Sequence, residues 1–219
     1  MTRKDGELRA FIGMPLEVAT QQWLCDSLAP LKVQFNKASA DAPKPAPQIR
    51  WVSPENWHIT LAFLGQIPQD RASEIIKLLA NALATRPSVK TEIEAVKRFP
   101  HANSPIIAVL LVNNDALLEL HGRIQEFCKI AGLRQERRAF KAHITLARIK
   151  APVGHGHEGQ RQGSLSGDSP IADIDALQLD RQVTLNRVQL LNSHLSPEGS
   201  RYQILADFLL RKPEFKTLG

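Results

Sequence analysis

The pentapeptide HITLA stands at residues 58–62 and again at residues 143–147. A repeat of five residues is rare by chance in a chain of 219 residues, so an internal duplication is its simplest source. Each copy lies in a stretch whose β-branched and apolar residues predict a strand. The repeat therefore predicts two related lobes, each of which presents one copy of the motif.

Strand geometry predicts which side chains of the motif share a face. Residues i and i+2 of a strand point the same way, so His58 lies beside Thr60 and His143 beside Thr145. The isoleucine and leucine of each copy point into the core. Two such strands related by a pseudo-two-fold axis place two imidazoles and two hydroxyls around one central cleft.

This set of side chains suits the chemistry of phosphodiesters. A neutral histidine takes a proton from an attacking water, and a protonated histidine gives a proton to the leaving oxygen. Histidine fits both tasks because its unperturbed pKa is about 6.5. Threonine hydroxyls donate hydrogen bonds to phosphate oxygens. A single His-x-Thr is more often a strand histidine beside a β-favouring threonine, but two matching copies favour chemistry.

The remaining pattern predicts an α+β protein with antiparallel sheets and helices packed outside. Predicted helices are 16–37, interrupted or kinked at Pro30, 69–84 and 115–130. Predicted strands are 9–14, 49–52, 58–64, 89–99, 106–112, 142–149, 183–195 and 202–210, and Gly65 is expected to end the third of them. Residues 41–48, 152–170 and 196–199 are expected to be a connector, a loop and a turn.

Composition narrows the class of partner. Lys and Arg number 28 against 22 Asp and Glu, a formal charge of +6, which favours an anionic partner such as nucleic acid. Cys25 and Cys128 are in no metal-ligand spacing and are expected to be reduced core thiols. The longest apolar run, 106–112, is too short to cross a bilayer, and we see no signal peptide. A cytoplasmic protein without a membrane partner is expected.

Basic residues crowd the second motif. These basic residues are Lys129, Arg134, Arg137, Arg138, Lys141, Arg148 and Lys150, and the one acidic residue among them is Glu136. They form either a patch that binds the RNA backbone or a solvated basic face, and the sequence leaves both interpretations open.

The motif regions resemble the two-histidine (2H) phosphoesterase superfamily, defined by paired His-x-Thr-x motifs, here at 58–61 and 143–146. The closer resemblance is to its RNA 2′,3′-cyclic phosphodiesterase branch, also called the 2′-5′ RNA ligase family. The similar stretches are RAFIGMPL (9–16), IRWVSPENWHITLAFLG (49–65), RAFKAHITLAR (138–148) and LLNSHLSPEGSRYQIL (190–205). This chain departs from the family pattern at Ile12, where a second aromatic is commoner, and in the long loop 152–170.

The resemblance implies one bilobal domain, 1–219, with two antiparallel sheets around the cleft. It implies hydrolysis of RNA 2′,3′-cyclic phosphate ends to 2′-phosphate, and 2′-5′ ligation in reverse. His58 is then the proton donor, His143 the proton acceptor, and Thr60 and Thr145 bind the phosphate. No metal and no cofactor are expected, although the loop holds the sequence His-Gly-His. A monomer is expected.

Further candidates for substrate contact are Arg148, Phe11 and Arg138. Alternation places Arg148 opposite His143, so the strand must end or twist nearby, and it places Phe63 in the core. Trp51 and Trp57 are expected to pack. The alternatives that stay open are an RNA-binding module without chemistry and a phosphodiesterase for a small cyclic nucleotide.

Overall fold

The computed structural model describes residues 6–41, 48–136, 138–150, 177, 179–196 and 199–212. These residues form three α-helices: α1 (Val18–Asp41), α2 (Ala72–Leu83) and α3 (Asp115–Ile130). Short 3₁₀ helices cover Pro54–Asn56 and Gln69–Arg71. The strands are β1 (Glu7–Pro15), β2 (Gln48–Trp51), β3 (His58–Pro68), β4 (Val89–Arg98), β5 (Ile106–Leu111), β6 (His143–Lys150), β7 (Arg181–Leu185), β8 (Arg187–Ser196) and β9 (Gly199–Leu209).

The strands form one sheet in the order β7-β4-β5-β6-β3-β1-β8-β9, and β2 pairs with β6 beside β3. Every pairing between these strands is antiparallel. The predicted α+β class with antiparallel strands is therefore confirmed. The two halves of the sheet meet at the centre, where Ile59 of β3 pairs with Ile144 of β6. The pseudo-two-fold relation between them stays a prediction.

The helices cover the apolar face of the sheet. The helix α3 packs against β3 and β4, and α2 packs against α3. The buried residues of these two helices are Ile75, Leu79 and Leu83 in α2 and Leu117, Leu120, Ile124, Phe127 and Cys128 in α3. Because this face is covered, the other face of β3 and β6 is left for a site. None of the helices that the structure describes is both long and apolar enough to cross a membrane.

Two predicted strand boundaries are wrong. The strand β3 continues through Gly65 to Pro68, because glycine adopts a φ of +78° there without the penalty that a Cβ would bring. The predicted strand 183–195 is divided at Asn186 into β7, which pairs with β4, and β8, which pairs with β1. Since one residue separates strands from opposite ends of the sheet, the sheet must curl.

The remaining predictions concern the helix around Pro30 and two connecting segments. The helix α1 continues through Pro30 without interruption. The expected loop 152–170 and most of the connector 41–48 lie outside the described residues.

Candidate active site

The two motif strands have the same local structure. Burial alternates in β3 from half-buried His58 and Thr60 to buried Ile59 and Leu61, and the corresponding residues of β6 repeat the pattern. Continuing the register of the pair Ile59–Ile144 sets His58 opposite Thr145 and Thr60 opposite His143. The four polar side chains therefore lie on one face of the sheet, on either side of the pair that joins the two strands. The structure brings together the four residues that the repeat predicts.

Each motif contains a β-bulge at its leucine. Ile12 pairs with Ala62 and Gly13 with Thr60, which leaves Leu61 as the extra residue. In β6 the corresponding extra residue is Leu146. Both bulge carbonyls are hydrogen-bonded: the Gln125 side chain of α3 donates to Leu61 O at 3.1 Å, and the Val52 backbone amide donates to Leu146 O at 2.8 Å. The bulges are therefore supported features of the sheet.

The bulges change which side chains face the site. After the extra residue the alternation resumes one position later, so Phe63 and Arg148 lie on the side of His58 and His143. The expectation that Phe63 packs in the core is wrong, since its side chain is 53% exposed. Arg148 is exposed and lies opposite Arg50 of β2, a second arginine on this face that the sequence reasoning missed.

Both imidazoles are held through the same ring nitrogen. The Nδ1 of His58 lies 2.7 Å from the Asn56 carbonyl oxygen, and the Nδ1 of His143 lies 2.8 Å from the Lys141 carbonyl oxygen. A carbonyl only accepts, so each Nδ1 carries a proton and donates it. Each histidine thus keeps Nε2 for other chemistry, and its ring orientation is fixed by the chain two residues earlier.

The environment of the two imidazoles favours their neutral forms. Burial lowers the pKa of His58 below its ordinary value, the hydrogen bond to Asn56 raises it, and the charge of His143 lowers it further. Burial also lowers the pKa of His143, against the opposing effect of the hydrogen bond to Lys141. The charge of His143 acts on His58, so the two imidazoles lie close enough to influence each other.

Aromatic rings surround His58. The ring centroid of Phe11 lies 4.9 Å from that of His58, and the ring of Tyr202 in β9 meets His58 edge-on at 5.2 Å. Phe11 is only 4% exposed, so it supports His58 and has little surface to offer a base. Gly13 passes close to the same ring: a Cβ there would lie 3.2 Å from His58 Cδ2.

The support of His143 comes from different residues. The ring of Phe99 stacks on the imidazole at 4.0 Å. The side chain of Asn113, just before α3, donates from Nδ2 to Phe140 O at 2.8 Å and accepts at Oδ1 from Ala142 N at 2.9 Å. These two bonds bracket Lys141, whose carbonyl holds His143. The amide of Asn113 therefore fixes the segment that orients the second imidazole.

The other candidates lie apart from this arrangement. Arg138 is 81% exposed and donates to both carboxylate oxygens of Glu136, the shorter distance being 2.9 Å. This hydrogen-bonded pairing raises the pKa of Arg138, so a nearby acid already balances its charge. Arg137 lies outside the described residues. Trp57 is buried, as expected.

No group of three or more His, Cys, Asp or Glu side chains that could hold a metal ion is found in the part of the chain that the structure describes. The histidines of the loop 152–170 lie outside that part. What converges at the site is two imidazoles, two threonine hydroxyls and an arginine. Such groups bind an anion and transfer protons to and from it.

Several residues of the site gave no signal in the sequence. Asn113, Gln125 and Tyr202 reach the motif strands from other elements, and only the fold reveals their contacts. Arg148 did give a signal, because a charged side chain at a position assigned to the core suggests a bulge.

Two RNA 2′,3′-cyclic phosphodiesterases are similar to this chain in sequence. An RNA 2′,3′-cyclic phosphodiesterase of Thermotoga maritima is 30% identical over 156 residues, which cover 71% of this chain and 76% of that protein. A protein of the same name from Methanothermobacter thermautotrophicus is 26% identical over 206 residues, covering 93% of this chain and 100% of that protein.

Solved structures share the fold. A crystal structure of a Thermus thermophilus protein has a TM-score of 0.64 and 18% identity, over 94% of this chain and 100% of that chain. The crystal structure of E. coli LigT complexed with 3′-AMP has a TM-score of 0.59 and 19% identity, over 93% of this chain and 98% of that chain. The family model described as LigT like Phosphoesterase matches residues 27–107 and 110–202, and each segment contains one copy of the motif. The protein therefore belongs to the LigT-like phosphoesterase family, within the 2H phosphoesterase superfamily that its sequence resembles.

Proposed function

We propose that this phosphoesterase hydrolyses the 2′,3′-cyclic phosphate at an RNA end to a 2′-phosphate, with His58 as general acid and His143 as general base. The observation that carries the proposal is the matched pair of imidazoles, each donating from Nδ1 to a backbone carbonyl and keeping Nε2 for the site. The names of the relatives supply the substrate class.

The reaction needs one group that accepts a proton from water and one group that donates a proton to the leaving oxygen. Nε2 of His143 accepts a proton from water as the water oxygen bonds to phosphorus. The bond from phosphorus to O3′ breaks, and Nε2 of His58 gives its proton to O3′. The phosphate stays on O2′. When the 5′-hydroxyl of a second RNA replaces water as the nucleophile, the same proton transfers give a 2′-5′ linkage, and cleavage of that linkage exchanges the roles of the two histidines.

The other groups on this face bind the phosphate. Thr60 and Thr145 donate hydrogen bonds to its non-bridging oxygens, and Arg148 supplies charge beyond the bulge. An anion beside an imidazole favours the protonated form, so the bound phosphate opposes the effect of burial and helps to keep His58 charged. Phe63 occupies the position in the first motif that Arg148 occupies in the second. Its ring offers an apolar surface to the nucleobase of the RNA end.

The decisive experiment is to incubate the protein with an RNA oligonucleotide that ends in a 2′,3′-cyclic phosphate, in the presence of EDTA. We expect a 2′-phosphate product, and we expect His58→Ala and His143→Ala each to lower kcat by about 10²- to 10⁴-fold. A 3′-phosphate product, or turnover unchanged in both variants, would contradict the mechanism.

The same experiment separates the alternatives. Loss of activity in EDTA that a divalent ion restores would show that the reaction needs a metal. Affinity for RNA without any turnover would identify a binding module. Turnover of small cyclic nucleotides but not of cyclic-ended RNA would identify a different substrate class.

A further inference from the structure

A cavity of about 460 Å³ lies beside His143 and has no role in the proton transfers. Its volume falls in the range of small-molecule sites, about 300–1,000 Å³. Two of its lining residues also support the imidazole: Phe99 stacks on the ring of His143, and Lys141 accepts the Nδ1 hydrogen bond. The cavity is therefore continuous with the surroundings of the general base.

Sheet register places the cavity on the face that holds the motif side chains. Leu110 lines the cavity and is the direct β5 neighbour of His143. Lys97 of β4 lies opposite Ala108 of β5, and Ala108 lies opposite Thr145. Directly opposite residues of a sheet share a face. Lys97 and Thr145 thus belong to one row, about 10 Å apart at the backbone for two strand spacings.

The residue between them, Ala108, is small and fully buried, so neighbouring atoms of the protein cover this point of the row. A lysine stem lies along an apolar surface and carries its ammonium group to the far end. Lys97 is half-buried and lines the cavity, so its positive charge borders the space beside the general base.

The two flanks of the site differ in charge. The flank beside His58 is aromatic, with Phe11, Phe63 and Tyr202. Among the residues that line the cavity beside His143, three are cationic, Lys97, Arg98 and Lys141, and one is acidic, Glu94. A surplus of positive charge in a concave site attracts an anion.

We propose that this cavity binds the phosphodiester group that links the terminal nucleotide of the RNA to the preceding nucleotide, with Lys97 and Lys141 as its charged contacts. This inference rests on the proposed function. The base and the 5′ chain leave the ribose at different ring carbons, C1′ and C4′, on either side of the ring oxygen. With the base on the aromatic flank, the proposal places the 5′ phosphodiester on the basic flank.

The subsite has a consequence for specificity. A cyclic mononucleotide fills the catalytic centre and leaves the cavity empty, whereas a dinucleotide with a cyclic end fills both. The enzyme then prefers the polymer, and salt weakens that preference because it screens the contacts to phosphate.

The test compares kcat/KM for a 2′,3′-cyclic mononucleotide and for a dinucleotide with the same terminal base. We expect wild type to prefer the dinucleotide. Lys97→Ala should lower the ratio of the two kcat/KM values by about tenfold, the size expected for a charged hydrogen bond. Lys77→Ala is the matched control, because it removes the same charge from an exposed position of α2 and should leave the ratio unchanged.

The outcomes separate the subsite from the reaction. Turnover of both substrates with equal kcat/KM in wild type, or with a ratio that Lys97→Ala and Lys141→Ala do not change, would overturn the subsite and leave the reaction standing. Absence of turnover of either substrate would overturn the proposed function. In that case, calorimetric binding of a 3′-phosphorylated dinucleotide to wild type and Lys97→Ala decides the subsite: equal affinities reject it, and weaker binding by the variant supports it.

Discussion

The side chain of Asn113 offers a way to disturb one imidazole without touching it. Asn113→Ala removes the donor to Phe140 O and the acceptor of Ala142 N, the two hydrogen bonds on either side of Lys141. The Lys141 carbonyl then loses its fixed position, and the ring of His143 loses the orientation that the carbonyl provides. We expect kcat to fall and KM to change little.

The magnitude follows from the bonds that are lost. Leaving a buried partner without its hydrogen bond costs about 1–3 kcal/mol, so two such losses should lower the free energy of unfolding by roughly 2–6 kcal/mol. A misplacement of the base by about 1 Å costs on the order of 10²-fold in rate. Because the imidazole itself remains, we expect a loss of kcat of about 10- to 100-fold, smaller than for His143→Ala.

The next residue in the chain provides the control. Asn114 also makes two side-chain bonds to the backbone: its Oδ1 accepts from Leu117 N at 3.0 Å, and its Nδ2 donates to Lys90 O at 2.6 Å. It caps α3 and does not contact the segment before His143. Asn114→Ala should therefore lower stability by about 1–2 kcal/mol and leave kcat unchanged.

The assay combines urea unfolding with steady-state kinetics on a cyclic-ended RNA for wild type and both asparagine variants. A wild-type kcat for Asn113→Ala would refute the reasoning. Equal losses of kcat in the two variants would also refute it, because the effect would then follow stability and not the position of His143.

Three more predictions follow from the same site. The proposed mechanism needs neutral His143 and protonated His58. Because burial lowers the pKa of each, kcat/KM should peak below pH 6.5, and a peak near pH 8 would contradict this. The lowered pKa values also mean that the unfolded chain binds protons more readily, so this contribution to stability is complete above pH 6.5 and is lost as pH falls through the folded pKa values. Between pH 7 and pH 5, urea unfolding should show a larger decrease in the free energy of unfolding for wild type than for a variant with both histidines changed to Gln. Equal decreases would reject this contribution of the histidines. Gly13→Ala should lower kcat several-fold because its Cβ would meet the His58 ring at 3.2 Å, whereas Gly122→Ala in α3, where a Cβ meets nothing within 4 Å, should leave kcat unchanged; equal kcat values would contradict the contact.

Strand periodicity was enough to predict the centre of the site. The face shared by His58 and Thr60 follows from alternation over three residues, where no bulge intervenes. The bounds predicted for α3, 115–130, also match the structure, because the capping Asn114 and the apolar stripe agree about where the helix begins.

The same reasoning failed five residues after His58. Alternation assumes a period of two, and the bulge at Leu61 adds one residue, so Phe63 moved from the predicted core to the surface of the site. The supports of the imidazoles were not predictable for another reason. Asn113 and Gln125 act through contacts between distant parts of the chain, which a reading of local patterns does not contain.

The pairing between β3 and β6 has a mechanical consequence. The described residues show one ladder pair between these strands, Ile59–Ile144, and each half of the sheet carries one imidazole of the candidate site. One backbone pair resists twisting less than a full ladder does, so a small rotation of one half against the other would change the distance between the two Nε2 atoms. A phosphate that accepts hydrogen bonds from both Thr60 and Thr145 would fix the distance between the two strands. The substrate would then set the distance between the two imidazoles, and this distance would vary more in the protein without substrate.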